Sequence, residues 1–389
     1  MAVNVKVGLI GALDMLKFKN MAKVREQAIQ AAPANEITGE FSVNKLAKQL
    51  HPDFLELVVA EVIEHKDAKT FVFNGKNGKL PYFRAGQYLS LKLKIDGSYI
   101  TRPYSISSGP AWTKENKIAI TVKRNDGGFA ANWLLDNLKV GDEVVSSAAE
   151  GQFFYENLRD SKNVVAIAGG SGITPFLSMA YALLHGDEDF NLTILSGSKT
   201  EADILFKKEF DEIQAKCDKV KVVDILSDEE KEGYEHGFIT ADIIKKYMGE
   251  DPTLFICGNA AMYKFLDGEL AQLDNPGRRI RHELRGVAKD IGEDKTFKLQ
   301  VKVGPETFDI QAKGNEPLLV AVERAGIKAP SRCRGGECGW CRSKLVSGEV
   351  FVPAENEFRR HEDKEFGYIH PCCTFPTSDC VIEVPGEFF

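Results

Sequence analysis

Val164-Val165-Ala166-Ile167-Ala168-Gly169-Gly170-Ser171-Gly172-Ile173-Thr174-Pro175 is the stretch that decides how this chain folds. Five apolar residues in a row leave no wet face, so the run predicts a strand buried on both sides. Glycines follow, and Pro175 to Leu184 reads as a helix, with proline suited to the first turn. Leu192-Thr193-Ile194-Leu195, Val220-Lys221-Val222-Val223 and Leu254-Phe255-Ile256-Cys257 repeat the strand signal at helix-sized intervals. Together they predict an α/β domain with a parallel sheet covered on both faces. Glycines between a buried strand and a helix N-terminus let the backbone approach a dinucleotide's pyrophosphate, with helix amides as donors. The run is not a true G-x-G-x-x-G fingerprint, and an ordinary tight strand–helix turn is the plain alternative.

Upstream the texture is β. Leu57 to Val62, Thr70 to Phe73, Tyr88 to Ile95 and Ile118 to Val122 are short runs rich in β-branched and aromatic residues. Tyr88 to Ile95 alternates, with Leu89, Leu91, Leu93 and Ile95 set against Tyr88, Ser90, Lys92 and Lys94. Several short strands with few helices predict an antiparallel barrel or sandwich. Gly86-Gln87-Tyr88 precedes Arg102-Pro103-Tyr104-Ser105, expected just after a strand. An arginine fork for a phosphate, a phenol for a flat ring and a hydroxyl for a ring nitrogen suit a flavin, although four residues alone could be a surface turn.

Downstream, Asp274 to Asp294 is charged and glycine-bearing, a candidate linker, and alternating Phe297, Leu299, Val301 and Val303 open a third domain. Six of the eight cysteines fall between Cys333 and Cys380. Cys333, Cys338 and Cys341 are spaced C-x₄-C-x₂-C, with Cys372 further on, the spacing of a plant-type [2Fe–2S] site. Glycines inside the loop let amides reach the sulfurs. Four cysteines also suit structural zinc, but zinc knuckles favour paired C-x₂-C units.

The chain has 389 residues and a net charge of −7. That length predicts more than one domain. The acidic balance gives no footprint for nucleic acid, and no apolar run approaches the ~20 residues of a membrane span. Val7 to Leu13 is interrupted by Asp14 and lacks a cleavage site, so a signal peptide is not expected and the cytoplasm is. Residues 1–52 read as a helical extension, with a helix over Met15 to Ala32. Leu9, Leu13, Leu16 and Phe18 beside lysines make residues 1–50 a candidate for peripheral association with a partner or membrane, packing on its own domains being the alternative.

R-x-Y-S, then G-G-S-G-I-T-P, then Cys257-Gly258 after the last strand resembles the ferredoxin–NADP⁺ reductase family. Residues 296–389 resemble plant-type ferredoxins of the β-grasp (α+β) fold. The order of the modules is similar to phthalate dioxygenase reductases, and more distantly to the flavoprotein subunit of sodium-translocating NADH:quinone reductase. The resemblance implies a flavin-binding β-barrel over 53–157, a nicotinamide domain over 158–290 and a ferredoxin domain over 296–389. It implies FAD, with FMN as the alternative, held by Arg102, Tyr104, Ser105 and Gly128. Gly169, Gly170, Gly172, Thr174 and Gly258 would line the nicotinamide side, and Cys257, Tyr104 and Ser105 would sit where hydride moves. Cys257 could equally be a small residue closing a buried strand. Cys372, four residues before Pro376, is the implied fourth cluster ligand beside Cys333, Cys338 and Cys341, leaving Cys373 and Cys380 as buried thiols.

Three departures stand out. After Gly128 the family's G-x-x-S-x-x-L has alanine, Ala131, at the hydroxyl position. Glu283 is followed by Leu284 and Arg285, without the usual aromatic. Ser198-Lys199 after a strand decides neither NADH nor NADPH, since an acid there favours a free 2′-hydroxyl and an arginine a 2′-phosphate; NADH is the expectation. The implied activity is an NAD(P)H-dependent oxidoreductase that relays electrons through flavin and [2Fe–2S] to a protein acceptor, such as an oxygenase. The alternative is a non-catalytic redox sensor or an electron-transfer subunit of a membrane-associated respiratory complex, which the intact glycine loop and Cys257-Gly258 argue against.

Overall fold

The computed structural model describes residues 9–31, 41–273, 279–283, 286–287 and 291–386. Contacts divide the chain into two units, Met1–Gln49 and Leu50–Phe389. In the first, α1 spans Leu9–Ala31 and α2 spans Ser42–Leu50. The first helix starts earlier than its charge pattern suggested, and Ala32 lies outside the described residues. On α2, Val43, Leu46 and Leu50 are exposed at helical spacing.

The second unit begins with β1 (Phe54–Glu64), β2 (Ala68–Gly75), β3 (Tyr88–Ile95), β4 (Ser98–Ser105), β5 (Lys117–Lys123), α3 (Phe129–Asn137) and β6 (Glu143–Ser147). These strands form one six-stranded sheet in the order β4-β3-β6-β1-β2-β5, with every pairing antiparallel. Ile106 bridges Ile120, so the sheet curls until its two edges meet. The apolar face of β3 is buried as its pattern predicts, with Leu89 and Leu91 0% exposed among Phe71, Phe73 and Leu57, but Tyr88 and Ser90 on the other face are buried too and only Lys92 and Lys94 turn outward. Full burial of a leucine is worth about 2 kcal/mol relative to exposure. Arg102-Pro103-Tyr104-Ser105 lies within β4 rather than after a strand. The proline hid this, yet β4 is a sheet edge, where a missing amide is tolerated.

The nicotinamide half contains β7 (Asn163–Gly169), α4 (Thr174–Leu184), β8 (Asn191–Ser198), α5 (Lys207–Gln214), β9 (Val220–Leu226), β10 (Glu235–His236), α6 (Ala241–Met248), β11 (Thr253–Cys257), α7 (Ala260–Leu270) and β12 (Ile280–His282). All are parallel, in the order β10-β9-β8-β7-β11-β12. Successive residues of β7 enter opposite cores. Val164, Ala166 and Ala168 pack with Phe176 of α4, while Val165 and Ile167 pack with Ile244 of α6 and Leu266 of α7. Both faces are covered, which is why the run is unbroken apolar. The order of strands reverses around β7, and such a switch point opens a crevice at the carboxyl ends. Ile280–His282 corrects the expected linker: it is a sheet strand, too short and too charged to show as one. Residues 274–278, 284–285 and 288–290 of that stretch lie outside the described residues.

The last part contains β13 (Thr296–Val303), β14 (Glu306–Lys313), α8 (Leu318–Arg324), β15 (Ser343–Ser347), β16 (Val350–Phe351), α9 (His361–Glu365), β17 (Tyr368–Ile369), β18 (Phe375–Pro376) and β19 (Cys380–Val384). Its five-stranded sheet runs β14-β13-β19-β15-β17, with β13 and β19 parallel. Leu318, Leu319 and Val322 of α8 pack with Leu299, Val301 and Ile382 of the sheet.

Candidate functional site

Three constellations meet around β4. The first is β4 itself. Arg102 is one-quarter exposed and donates from Nη1 to the Thr101 carbonyl at 2.8 Å. Its carboxylate contact, Glu323 Oε2, is 3.8 Å away. Burial and the neighbouring Arg334 push its pKa down to about 10, the mark of a cation short of counter-charge. A half-buried guanidinium so placed fits an anionic phosphate. Tyr104 packs against the barrel core, and burial raises its phenol pKa. Gly128 is the N-cap of α3 without a side-chain cap.

The second is the end of the parallel sheet. Gly170 takes φ +55°, and the chain passes through a short 3₁₀ turn, Gly170–Ile173, into α4. Thr174 Oγ1 donates to the Ser171 carbonyl at 3.0 Å, closing the turn. A Cβ on Gly172 would stand 2.1 Å from the Cys257 carbonyl oxygen. The glycine loop thus presses directly on the end of β11, and no larger residue fits there.

Between these two stands Glu283, just after β12. Its amide donates to the Ile256 carbonyl at 3.0 Å, and Tyr263 Oη donates to the Glu283 carbonyl at 3.2 Å. Ser105 Oγ donates to its Oε1 at 2.6 Å, and Cys257 Sγ donates to its Oε2 at 2.6 Å. Burial raises the carboxyl's pKa against the opposing pull of those two hydrogen bonds. Burial, with Glu283 alongside, holds the Cys257 thiol well above its ordinary value. Cys257 and Ser105 are therefore brought together, through a residue that the sequence pattern flagged only for the missing aromatic after it. Leu284 and Arg285, the positions of that departure, lie outside the described residues.

The third is the cysteine loop. Cys333, Cys341 and Cys372 are buried and Cys338 is exposed. The amides of Gly335 and Cys338 point at Cys333 Sγ, and that of Trp340 at Cys338 Sγ, each at 3.4 Å. Amides aimed at sulfur suit thiolates that carry charge. Arg334, Gly336 and Gly339 all take positive φ, so the loop curls over the sulfurs. Buried Asn356 and His370 brace it, meeting the carbonyls of Gly335 at 3.0 Å and Gly336 at 2.6 Å. Cys372 contacts both Cys333 and Cys341, whereas Cys373 Sγ turns to the His370 carbonyl at 3.4 Å. A two-iron cluster divides four sulfurs between two metals, and these four cysteines have the plant-type spacing for it. The donor set fits [2Fe–2S].

The cysteine loop is locked onto the barrel mostly by residues the sequence did not single out, Arg102 being the exception. Thr101 Oγ1 donates to the Ser331 carbonyl at 2.9 Å. Arg332 pairs with Glu150 and lies 3.4 Å over the Trp340 ring. Buried Glu323 pairs with Arg334 and faces Arg102. The position of Arg332 and Arg334 beside the clustered cysteines is the signal that could have drawn attention to them.

A curled antiparallel barrel, a doubly wound sheet with a glycine loop and a four-cysteine β-grasp domain define an iron–sulfur flavoprotein reductase. The chain belongs to the ferredoxin–NADP⁺ reductase family, in the branch with a C-terminal [2Fe–2S] ferredoxin domain. Residues 55–155 match the oxidoreductase FAD-binding domain, 166–267 the oxidoreductase NAD-binding domain and 301–377 the 2Fe-2S iron-sulfur cluster binding domain. The ferredoxin reductase component of 3-ketosteroid-9-alpha-monooxygenase from Mycolicibacterium smegmatis is 30% identical, with 84% of this chain and 96% of that protein covered. The glycine betaine monooxygenase reductase subunit of Chromohalobacter salexigens is 28% identical, with coverage of 84% and 94%. Phthalate dioxygenase reductase shares the fold, with a TM-score of 0.62 at 24% identity, over 85% of this chain and 98% of that one. The protein is an NAD(P)H-dependent oxidoreductase that uses FAD and a [2Fe–2S] cluster to pass electrons to a protein acceptor. Among the described residues no helix is long and apolar enough to cross a membrane.

Proposed function

We propose that the chain is the reductase component of a multicomponent oxygenase and works in the cytoplasm. Its relatives are reductase subunits of monooxygenases, which supports the partner. The proposed domains are 1–52, 53–157, 158–290 and 296–389. Arg102, Tyr104, Ser105 and Gly128 hold the flavin. Gly169, Gly170, Gly172, Thr174 and Gly258 line the nicotinamide side, and Cys333, Cys338, Cys341 and Cys372 ligate the cluster. A flavin bound here supplies the conversion between two-electron hydride chemistry and one-electron cluster chemistry.

The observation that carries this reading is the Ser105–Glu283–Cys257 bridge, which ties the flavin strand to the carboxyl edge of the nicotinamide sheet. Glu283 orients both neighbours: it keeps one proton at Ser105 Oγ and another at Cys257 Sγ, each pointing at a carboxylate oxygen. The thiol stays protonated at neutral pH, so it serves as a packing and hydrogen-bonding group rather than a nucleophile.

The test is the visible spectrum of anaerobic protein before and after NADH and then NADPH. Flavin and iron–sulfur bands that bleach support the reductase; bands present but unmoved by either nucleotide overturn it. Oxygenase components of the kinds served by its relatives should be reduced by nicotinamide nucleotide through this chain. Reduction of none, with ferricyanide turnover intact, would discard the oxygenase partner while keeping the reductase.

A further inference from the structure

Arg102, the proposed holder of the flavin phosphate, has company at the barrel edge. Helix α8 lies against β4, and from it buried Glu323 turns a carboxylate between two arginines. Its Oε1 pairs with Arg334 Nη1, and its Oε2 lies 3.8 Å from Arg102 Nη1. Arg102 comes from the barrel, whereas Arg334 comes from the cysteine loop, one residue after Cys333. Their side chains are 25% and 15% exposed, and that of Glu323 is 5% exposed. Among the described residues no other carboxylate reaches either guanidinium.

The charges do not balance. Two guanidiniums against one carboxylate leave one positive charge uncompensated where water is largely excluded, a costly arrangement without an anion. Arg102 registers this, because burial and then Arg334 lower its pKa to about 10. A phosphodiester carries a single negative charge, and its oxygens match the fork of a guanidinium. The barrel also offers one donor fewer than its family pattern, since Ala131 stands where that pattern has a hydroxyl.

The backbone of Arg334 makes a separate case. Its φ is +56°, a left-handed conformation that is costly for arginine and easy for glycine. Glycine fills the next two positions, Gly335 and Gly336. The turn over the sulfurs would be served as well or better by glycine at position 334. An arginine kept there against its backbone preference points to a task for its side chain.

We infer that Arg334 is a second ligand of the flavin phosphate, with Glu323 keeping its guanidinium beside that of Arg102. The iron–sulfur domain then completes the flavin site, and the loop that carries the cluster also grips the flavin. The inference rests on the reductase reading above and adds a residue to its flavin site.

The test uses full-length protein with its cluster in place and its flavin removed. It is titrated with FAD and, separately, with riboflavin, which has the same ring system and no phosphate; quenching of flavin fluorescence reports binding. Arg334→Gly should weaken FAD about tenfold, the scale of one charge-assisted hydrogen bond, and leave riboflavin unchanged. Its iron content should stay native, because glycine suits the left-handed backbone. Unchanged FAD affinity would overturn the inference. So would an equal loss for FAD and riboflavin, the mark of a merely structural role. Should the glycine variant lose its iron, Arg334→Lys decides by the same two criteria: it keeps the charge without the fork and should weaken FAD about threefold, with riboflavin unchanged. Native protein that binds neither flavin would instead sink the reductase reading.

Discussion

The barrel makes two junctions, and they are built from opposite chemistry. Toward the nicotinamide sheet, Ser105, Glu283 and Cys257 form a short hydrogen-bonded bridge of one carboxyl, one hydroxyl and one thiol. Toward the cysteine loop, the contacts are arginine–carboxylate pairs: Arg332 with Glu150, Arg334 with Glu323, and Arg102 facing that same Glu323. A few uncharged donors around one acid can part and re-form when a nucleotide enters. Buried ion pairs resist separation, because each half left behind is an uncompensated charge. One junction is suited to admitting a substrate, the other to staying shut.

The largest effect expected is at the shut junction's cargo. Cys338→Ala should abolish the iron–sulfur absorption and leave almost no iron, while ferricyanide reduction continues. Retention of the iron would show that the loop is held by other ligands. Next comes the open junction. Glu283→Gln should slow flavin reduction by about 100-fold, the range for a positioned proton-handling group. It also carries a pH signature. Because burial raises the Glu283 pKa, the native fold favours its protonated form. That contribution is complete below the unfolded carboxyl's pKa of about 4.3 and is lost as pH rises through the native value. The variant escapes this loss, so its melting temperature should gain on the native protein as pH rises from about 4. A constant difference across pH would break the contrast between the two junctions.

How far the sequence could anticipate this depends on whether a group acts through local spacing or through assembly. The cysteine loop is written in nine consecutive residues, and the buried strand with its glycines in twelve, so both were legible. The burial of Cys373 follows the pattern as well, although the carbonyls its thiol meets appear only in the structure. Glu283 was not legible as a bridge. It meets Ser105 from 178 residues away, and only the pairing of β12 with β11 delivers it. Arg332 and Glu150 are likewise 182 residues apart. The β4 strand was obscured by Pro103, whose cost disappears only when its edge position is known.

A smaller effect tests the clamp itself. Arg332→Leu leaves the partly buried Glu150 without its partner and should cost about 2 kcal/mol in the unfolding of the ferredoxin part, between an exposed and a fully buried pair. A loss below about 1 kcal/mol, the scale of an exposed pair, would make this junction no firmer than the other. The smallest effect is expected at Cys373→Ala, which should cost about 1 kcal/mol of packing and leave the iron content untouched. Cys372→Ala beside it should lose the iron, and equal behaviour of the two would reopen the choice of fourth ligand.

The buried hydrogen bond from Thr101 to Ser331 ties the barrel edge to the loop two residues before Cys333. Donor and acceptor are thus covalently tethered and already docked, so their encounter is first order. Dilution, crowding and ionic strength, which govern meetings between separate proteins, drop out of that internal handover. They reappear only at the exit, where a separate acceptor must find the chain by diffusion. In a cell the abundance of this protein would therefore set how often a partner is served, without altering how fast each molecule readies itself.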